Sequence, residues 1–187
     1  GLDGLSGGIC TIFYITIAII GFFQARYGSL VMTLTLIMLG STLGFLLHNF
    51  NPATIFAGDC ATFMGFIISI ITLLEFKGPA LISFFVPLTI LGIPILDTLF
   101  AIIRRLIKGK SIKAVFKADK GHLHHRIVAR GFGQKQAVLI LYGLSATFGI
   151  FAVILLDSGI WKALSFLLMV IVAIGLDIII GSFLSSY

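Results

Sequence analysis

Six apolar runs constrain this chain more than any other feature. They cover about Ile9–Phe23, Ser29–Leu47, Ala61–Leu74, Ala80–Ile103, Ala137–Leu156 and Ile160–Phe183. A helix needs roughly 20 apolar residues to cross the hydrocarbon of a bilayer. Most of the runs approach that length, and the third is the short one. Inside the hydrocarbon no water satisfies the backbone, so each segment must satisfy its own N–H and C=O groups. A transmembrane barrel would alternate polar and apolar residues along each strand, and neither Ile67–Leu74 nor Leu81–Phe85 alternates. Only 11% of residues are charged, against about 25% in an average soluble domain. The expectation is one all-α, polytopic membrane domain over residues 1–187 with about six transmembrane helices.

The charges are not spread evenly. Ten of the thirteen Lys and Arg fall in the segment 104–135: Arg104, Arg105, Lys108, Lys110, Lys113, Lys117, Lys120, Arg126, Arg130 and Lys135. Arg26, Lys77 and Lys162 lie singly in short connections. Cationic loops stay on the cytoplasmic side, which makes 104–135 a basic cytoplasmic loop. Counting helices back from it puts Gly1–Gly8 and His48–Asp59 on the same face, with Gln24–Gly28, Glu75–Pro79 and Asp157–Gly159 on the other. Cys10 and Cys60 lie at or within apolar runs without the spacing of a metal knuckle, and read as small packing residues.

Three polar segments therefore share one face. Gly1-Leu2-Asp3-Gly4-Leu5-Ser6-Gly7-Gly8 lets a backbone approach a ligand closely, and its Asp3 reads either as a cap for the next helix or as part of a site. His48–Asp59 ends on a carboxylate at a helix mouth. Asp59 reads either as a cap or as a ligand for Mg²⁺, which is commonly held by one or two carboxylates plus substrate phosphates. His122-Leu123-His124-His125-Arg126 lacks the separated ligand pairs of a zinc site, and its cations favour an anion. Arg grips phosphate through a bidentate fork. Anionic lipid headgroups account for Lys108, Lys110, Lys113 and Lys117 but not for three histidines in four positions. Asp97, three residues beyond Pro94, is an acid within an apolar run and so a functional candidate. Pro94 predicts a kink there, leaving the carboxylate to meet a polar cavity or Arg104. Asp177 reads as structural.

Five motifs in order resemble the polyprenyl-phosphate N-acetylhexosamine-1-phosphate transferase family. They are Gly1-Leu2-Asp3-Gly4-Leu5, Asn49-Phe50-Asn51-Pro52-Ala53, Phe56-Ala57-Gly58-Asp59, Pro94-Ile95-Leu96-Asp97-Thr98 and His122-Leu123-His124-His125-Arg126. The resemblance runs from Gly1 to about Gly131. It implies a multi-pass enzyme of the bacterial inner membrane that moves a sugar-1-phosphate from a UDP-sugar to a polyprenyl phosphate at the cytoplasmic face. UMP is released and Mg²⁺ is required. The His-x-His-His-Arg form resembles the branch using UDP-N-acetylglucosamine, whereas the peptidoglycan branch has three adjacent histidines. By this likeness Gly1, Leu2, Asp3, Asn49 and Phe56 bind the nucleotide, with Phe56 stacking on uracil. Asp59 holds Mg²⁺. His122, His124, His125 and Arg126 grip the diphosphate and sugar. The partners implied are the UDP-sugar, the lipid phosphate and the membrane; a homodimer is compatible, and nucleic acid is not expected.

Two departures qualify the likeness. Gly58-Asp59-Cys60-Ala61-Thr62 stands where the family reads Gly-Asp-Ser-Gly-Ser, which keeps the acid and changes its neighbours. The family's adjacent Asp-Asp pair precedes the first motif and is not among these residues. The expectation is the C-terminal half of an enzyme, inactive alone. The competing reading is half of a transporter or channel with a basic cytoplasmic loop, which would line a mid-membrane path with polar residues such as Asp97. A purely structural membrane subunit would not need the five motifs.

Overall fold

The computed structural model describes residues 2–76, 86–109, 121–156 and 171. Among these residues all regular structure is helical. The elements are α1 (Leu5–Phe23), α2 (Leu30–Asn49), α3 (Cys60–Glu75), α4 (Gly92–Gly109), α5 (Leu123–Ala129) and α6 (Gln134–Leu156). A helical turn at 86–90 precedes α4. Three helices, α1, α2 and α6, are long and apolar enough to cross a membrane, and α3 is a shorter apolar helix. Four of the six runs therefore correspond to helices within a few residues. The run at Ile160–Phe183 lies outside the described residues except for Ile171.

The fourth run is broken close to the kink expected at Pro94. A turn at Leu91 separates residues 86–90 from α4, so the run is not one straight span. Pro94 sits in the first turn of α4, where its missing N–H breaks no intrahelical bond. The new helix continues to Gly109, so Arg104 and Arg105 ride on a helix and not in a loop. Its faces differ strongly in polarity, unlike the uniformly apolar α1, α2 and α6.

Local chemistry sets the helix ends. Ser29 caps α2 by accepting a hydrogen bond from the Met32 N–H at 3.1 Å. At the end of α1, Ala25 adopts φ 54°. The Arg26 N–H bonds the Gly21 carbonyl and the Ala25 N–H bonds the Phe22 carbonyl. This is a Schellman closure, with alanine where glycine is usual.

α1 is the central strut. It packs against α2, α3 and α6. Its Phe13, Tyr14, Ile17 and Ile20 are buried with Ile68 and Ile71 of α3, Val86, Ile90 and Ala152 of α6. Glycine permits the close approach of α1 to α6. A Cβ on Gly8 would stand 1.9 Å from the Tyr142 ring, and one on Gly149 would stand 2.5 Å from the Thr16 hydroxyl. Small residues at such crossings let helices meet closely where lipid leaves little hydrophobic drive for association. A second cluster, Ile93, Leu141 and Phe148, receives Leu123 and Ile127 from α5. These two residues are four apart and share one face of a helix. That spacing turns part of the expected 104–135 loop into a docked helix.

Candidate active site

The ends of the helices separate two kinds of polar contact. Where α1 and α3 finish, the Arg26 guanidinium pairs with the Glu75 carboxylate at 3.2 Å. These are the connections expected on the face opposite the motifs. At the other end of α1 the three polar segments come together.

Asp3 is not a helix cap. Gly4 occupies that position, with φ 79° and no side-chain cap. The Asp3 carboxylate reaches across to the second segment, accepting from Asn51 Nδ2 at 3.2 Å and from the Ala53 N–H at 3.3 Å. Asn49 makes the same connection in reverse. Its Oδ1 accepts the Gly4 N–H at 3.0 Å and its Nδ2 donates to the Ile55 carbonyl at 2.7 Å. With 6% exposure and both ends of its amide engaged, Asn49 ties the first motif to the loop that carries Phe56. The Tyr142 hydroxyl donates to the Gly4 carbonyl, which fastens the same turn to α6.

The histidine motif lies on α5. Asp97 of α4 receives it with both oxygens: Oδ1 accepts the Leu123 N–H at 2.6 Å and Oδ2 lies 3.0 Å from His122 Nδ1. Of the two expected surroundings for Asp97, a polar cavity or Arg104, it is the cavity that it lines, with His122 and His124; the Arg104 guanidinium lies against Gly121. His122 and His124 stack with ring centroids 5.7 Å apart, and His124 and His125 are 4.2 Å apart. Burial, and then the neighbouring His125, push the His124 pKa down to about 4. His124 is therefore neutral near pH 7 and offers one donor and one acceptor rather than a charge. Leu123 interrupts the histidines because its side chain is the anchor of α5 on the core.

A cleft of about 580 Å³ connects the first, fourth and fifth motifs. Leu2 and Ser6 of the first segment line it together with Asp97, His122 and His124, and its deeper wall is apolar, including Ile68 and Leu141. Residues some 120 positions apart in the chain thus face one cavity. His125 and Arg126 are on the same short helix but do not line the cleft. Phe56, 72% exposed, and Asp59, also exposed, lie outside its lining as well. Asp59 precedes α3 without capping it through its side chain. Gly1 lies outside the described residues. Among the described residues no three of His, Cys, Asp and Glu form a metal-holding group. Sequence reasoning left out Asp97 as the partner of His122, although an acid in an apolar run was the available signal. It also missed Ser6 and Tyr142, which carry no such signal.

Fold and site together define a helical membrane protein with a part-apolar cleft walled at its polar end by a histidine cluster. Residues 1–75 match the family described as Glycosyl transferase family 4, and that match taken together with the relatives that follow shows that the chain belongs to it. The chain is 41% identical over 174 residues to the probable undecaprenyl-phosphate N-acetylglucosaminyl 1-phosphate transferase of Bacillus subtilis, covering 92% of this chain and 47% of that protein. It is 33% identical over 181 residues to the decaprenyl-phosphate N-acetylglucosaminephosphotransferase of Mycolicibacterium smegmatis, covering 85% and 44%. It is 32% identical over 164 residues to the undecaprenyl-phosphate alpha-N-acetylglucosaminyl 1-phosphate transferase of Escherichia coli K12, covering 81% and 42%. The chain thus spans less than half the length of each. No solved structure matches it.

Proposed function

We propose that this chain is part of a membrane enzyme that transfers a sugar-1-phosphate, GlcNAc-1-phosphate in the first instance, from a UDP-sugar to undecaprenyl phosphate. The observation that carries the reading is the cleft that Leu2 of the first motif and the nearby Ser6 line together with His122 and His124 of the last. The names of the relatives support a polyprenyl phosphate acceptor. In this reaction an oxygen of the lipid phosphate bonds to the sugar-bearing phosphorus of the donor. The bond from that phosphorus to the bridging oxygen breaks, and UMP leaves with that oxygen.

Such a transfer needs positioning and charge neutralisation more than covalent help from the protein. The apolar wall of the cleft suits the start of a lipid chain, and its polar end suits the phosphates. Neutral His124 can donate one hydrogen bond to a phosphate oxygen without carrying a charge. Arg126 lies on the same helix outside the lining of the cleft, and a guanidinium suits the donor's phosphates through its bidentate fork. Phe56 presents an exposed ring on which a base can stack. Asp59 fits Mg²⁺, because its carboxylate is exposed and is not used to cap α3, so its oxygens are open to a hard cation. When bound, Mg²⁺ would neutralise phosphate charge as the bond to the leaving group breaks. The clustering of cations in 104–135 favours a cytoplasmic site. The acid that a transport reading would put on a mid-membrane path, Asp97, is tied instead to His122 and the Leu123 N–H.

The test is Asp59→Asn in the full-length enzyme, assayed by UMP release at saturating Mg²⁺. Loss of nearly all turnover with membrane insertion intact is expected. Turnover within a few-fold of the parent would overturn the role given to Asp59, and flux of a solute without UMP release would favour the transport reading.

A further inference from the structure

The proposed reaction assigns work to the histidine motif but none to Asp97, which comes from a different helix and reaches it with both oxygens. We propose that Asp97 is a positioning residue. It fixes the proton of His122 on Nδ1 and anchors the start of α5, so that Nε2 of His122 is the nitrogen left for a phosphate-bearing ligand.

The chemistry follows from what each group can do. An ionised carboxylate only accepts hydrogen bonds. With Oδ2 at 3.0 Å from His122 Nδ1, the stable arrangement has Nδ1 as the donor. The second ring nitrogen, Nε2, then acts as an acceptor when the ring is neutral and as a donor when it is charged. His122 lines the cleft, so the choice of tautomer governs which of these the ligand meets. The other oxygen holds the first N–H of α5 at 2.6 Å, and α5 has no side-chain cap of its own. One carboxylate therefore sets both the ring's proton and the position of the backbone that carries it. Leu123 and Ile127 press the same helix onto the core, which leaves α5 little freedom to turn its histidines away.

The inference rests on the proposed reading of the cleft, and two measurements separate the two. The first is histidine ring ¹⁵N chemical shift in the full-length protein in detergent, with His122 assigned by its absence in His122→Gln. The parent is expected to show the Nδ1–H form. Asp97→Asn keeps an oxygen for the Leu123 N–H and offers an N–H₂ to the ring, so it should move the proton to Nε2. An unchanged tautomer in Asp97→Asn would overturn the proposal whether or not the protein transfers sugar phosphate.

The second is UMP release from UDP-GlcNAc with undecaprenyl phosphate. Asp97→Asn should lower kcat at least about tenfold with a smaller change in KM for the nucleotide sugar, since a histidine in the wrong tautomer is a large defect in catalysis. Asp97→Glu, which keeps the charge, should recover part of the loss. In a His122→Ala background Asp97→Asn should cost little more, because residues acting through one another are not additive. An equal fold-loss in both backgrounds would show that Asp97 acts elsewhere. If the parent released no UMP while its tautomer shifted as described, the reaction assigned to the cleft would fail and the positioning role would stand.

Discussion

Replacing Asn49 by alanine tests whether that residue contacts a ligand or builds the scaffold. Its side chain is 6% exposed and joins the Gly4 N–H at 3.0 Å to the Ile55 carbonyl at 2.7 Å. Alanine removes both bonds and leaves the Gly4 donor, itself buried, without an acceptor. A typical hydrogen bond contributes about 1 kcal/mol net, and an orphaned buried donor adds about 1–3 kcal/mol. Water can replace the partner of Ile55 in its exposed loop, so the total loss is roughly 2–4 kcal/mol. Asn49→Asp should lose about as much, since a second oxygen then faces the Ile55 carbonyl. The assay is the unfolding midpoint of the purified full-length protein in detergent, run beside KM for the nucleotide sugar. A midpoint equal to that of the parent, with a raised KM, would refute the scaffold reasoning and make Asn49 a direct substrate contact.

Three further outcomes follow from the same geometry. Gly8→Ala should destabilise the protein by about 1–3 kcal/mol through overpacking, because its Cβ would stand 1.9 Å from the Tyr142 ring; Tyr142→Ala should relieve part of that loss, and a Gly8→Ala protein that melts with the parent would contradict the packing. His124, ordinarily near 6.5 and here pushed down to about 4, binds its proton more weakly folded than unfolded. Its contribution is intact above about 6.5 and is lost as pH falls toward 4. His124→Gln should therefore flatten the fall in melting temperature between pH 7 and pH 5, and equal slopes for the two proteins would count against a buried neutral ring. A Ser111→Cys label site, in a background with Cys10 and Cys60 replaced by alanine, should be protected from an impermeant thiol reagent added outside intact cells; ready labelling would invert the proposed topology.

What the sequence made legible was mostly a matter of length and hydropathy. Apolar runs find helices because burying an unpaired backbone in lipid is so unfavourable, and α1, α2, α3 and α6 begin and end within a few residues of theirs. In the fourth run hydropathy does not register the change of helix, and it was Pro94 that pointed to a kink nearby. Leu91 and Pro94 decide that break, and the residues on either side are equally oily. The segment 104–135 concealed a helix for the opposite reason. Its charges mask a two-residue apolar stripe, Leu123 and Ile127, too short to stand out as a helix yet sufficient to dock one. The motif residues were individually visible, but their pairings were not. Nothing in the local pattern says that Asp3 reaches Asn51 or that Asp97 reaches His122, because those contacts depend on how the helices are stacked. Asn49 shows the difference most clearly. A polar residue in a motif suggests a ligand, and the two internal partners that also make it a brace are visible only in the fold.

The contacts at Gly4 also divide the site by how far the chain must return to build it. The bond from Gly4 to Asn49 spans 45 residues and that from Asp3 to Ala53 spans 50, so both close within the α1–α2 hairpin and the loop that follows it. The bond from Tyr142 to Gly4 spans 138 residues. Loop-closure entropy grows only with the logarithm of length, so the longer return costs about 1 kcal/mol more than the shorter one. The equilibrium difference is small, but the order in which the walls arise during synthesis is not. One wall is complete as soon as a single hairpin has entered the membrane. The other exists only after α6 has been made, because the hydroxyl that fastens Gly4 is carried there.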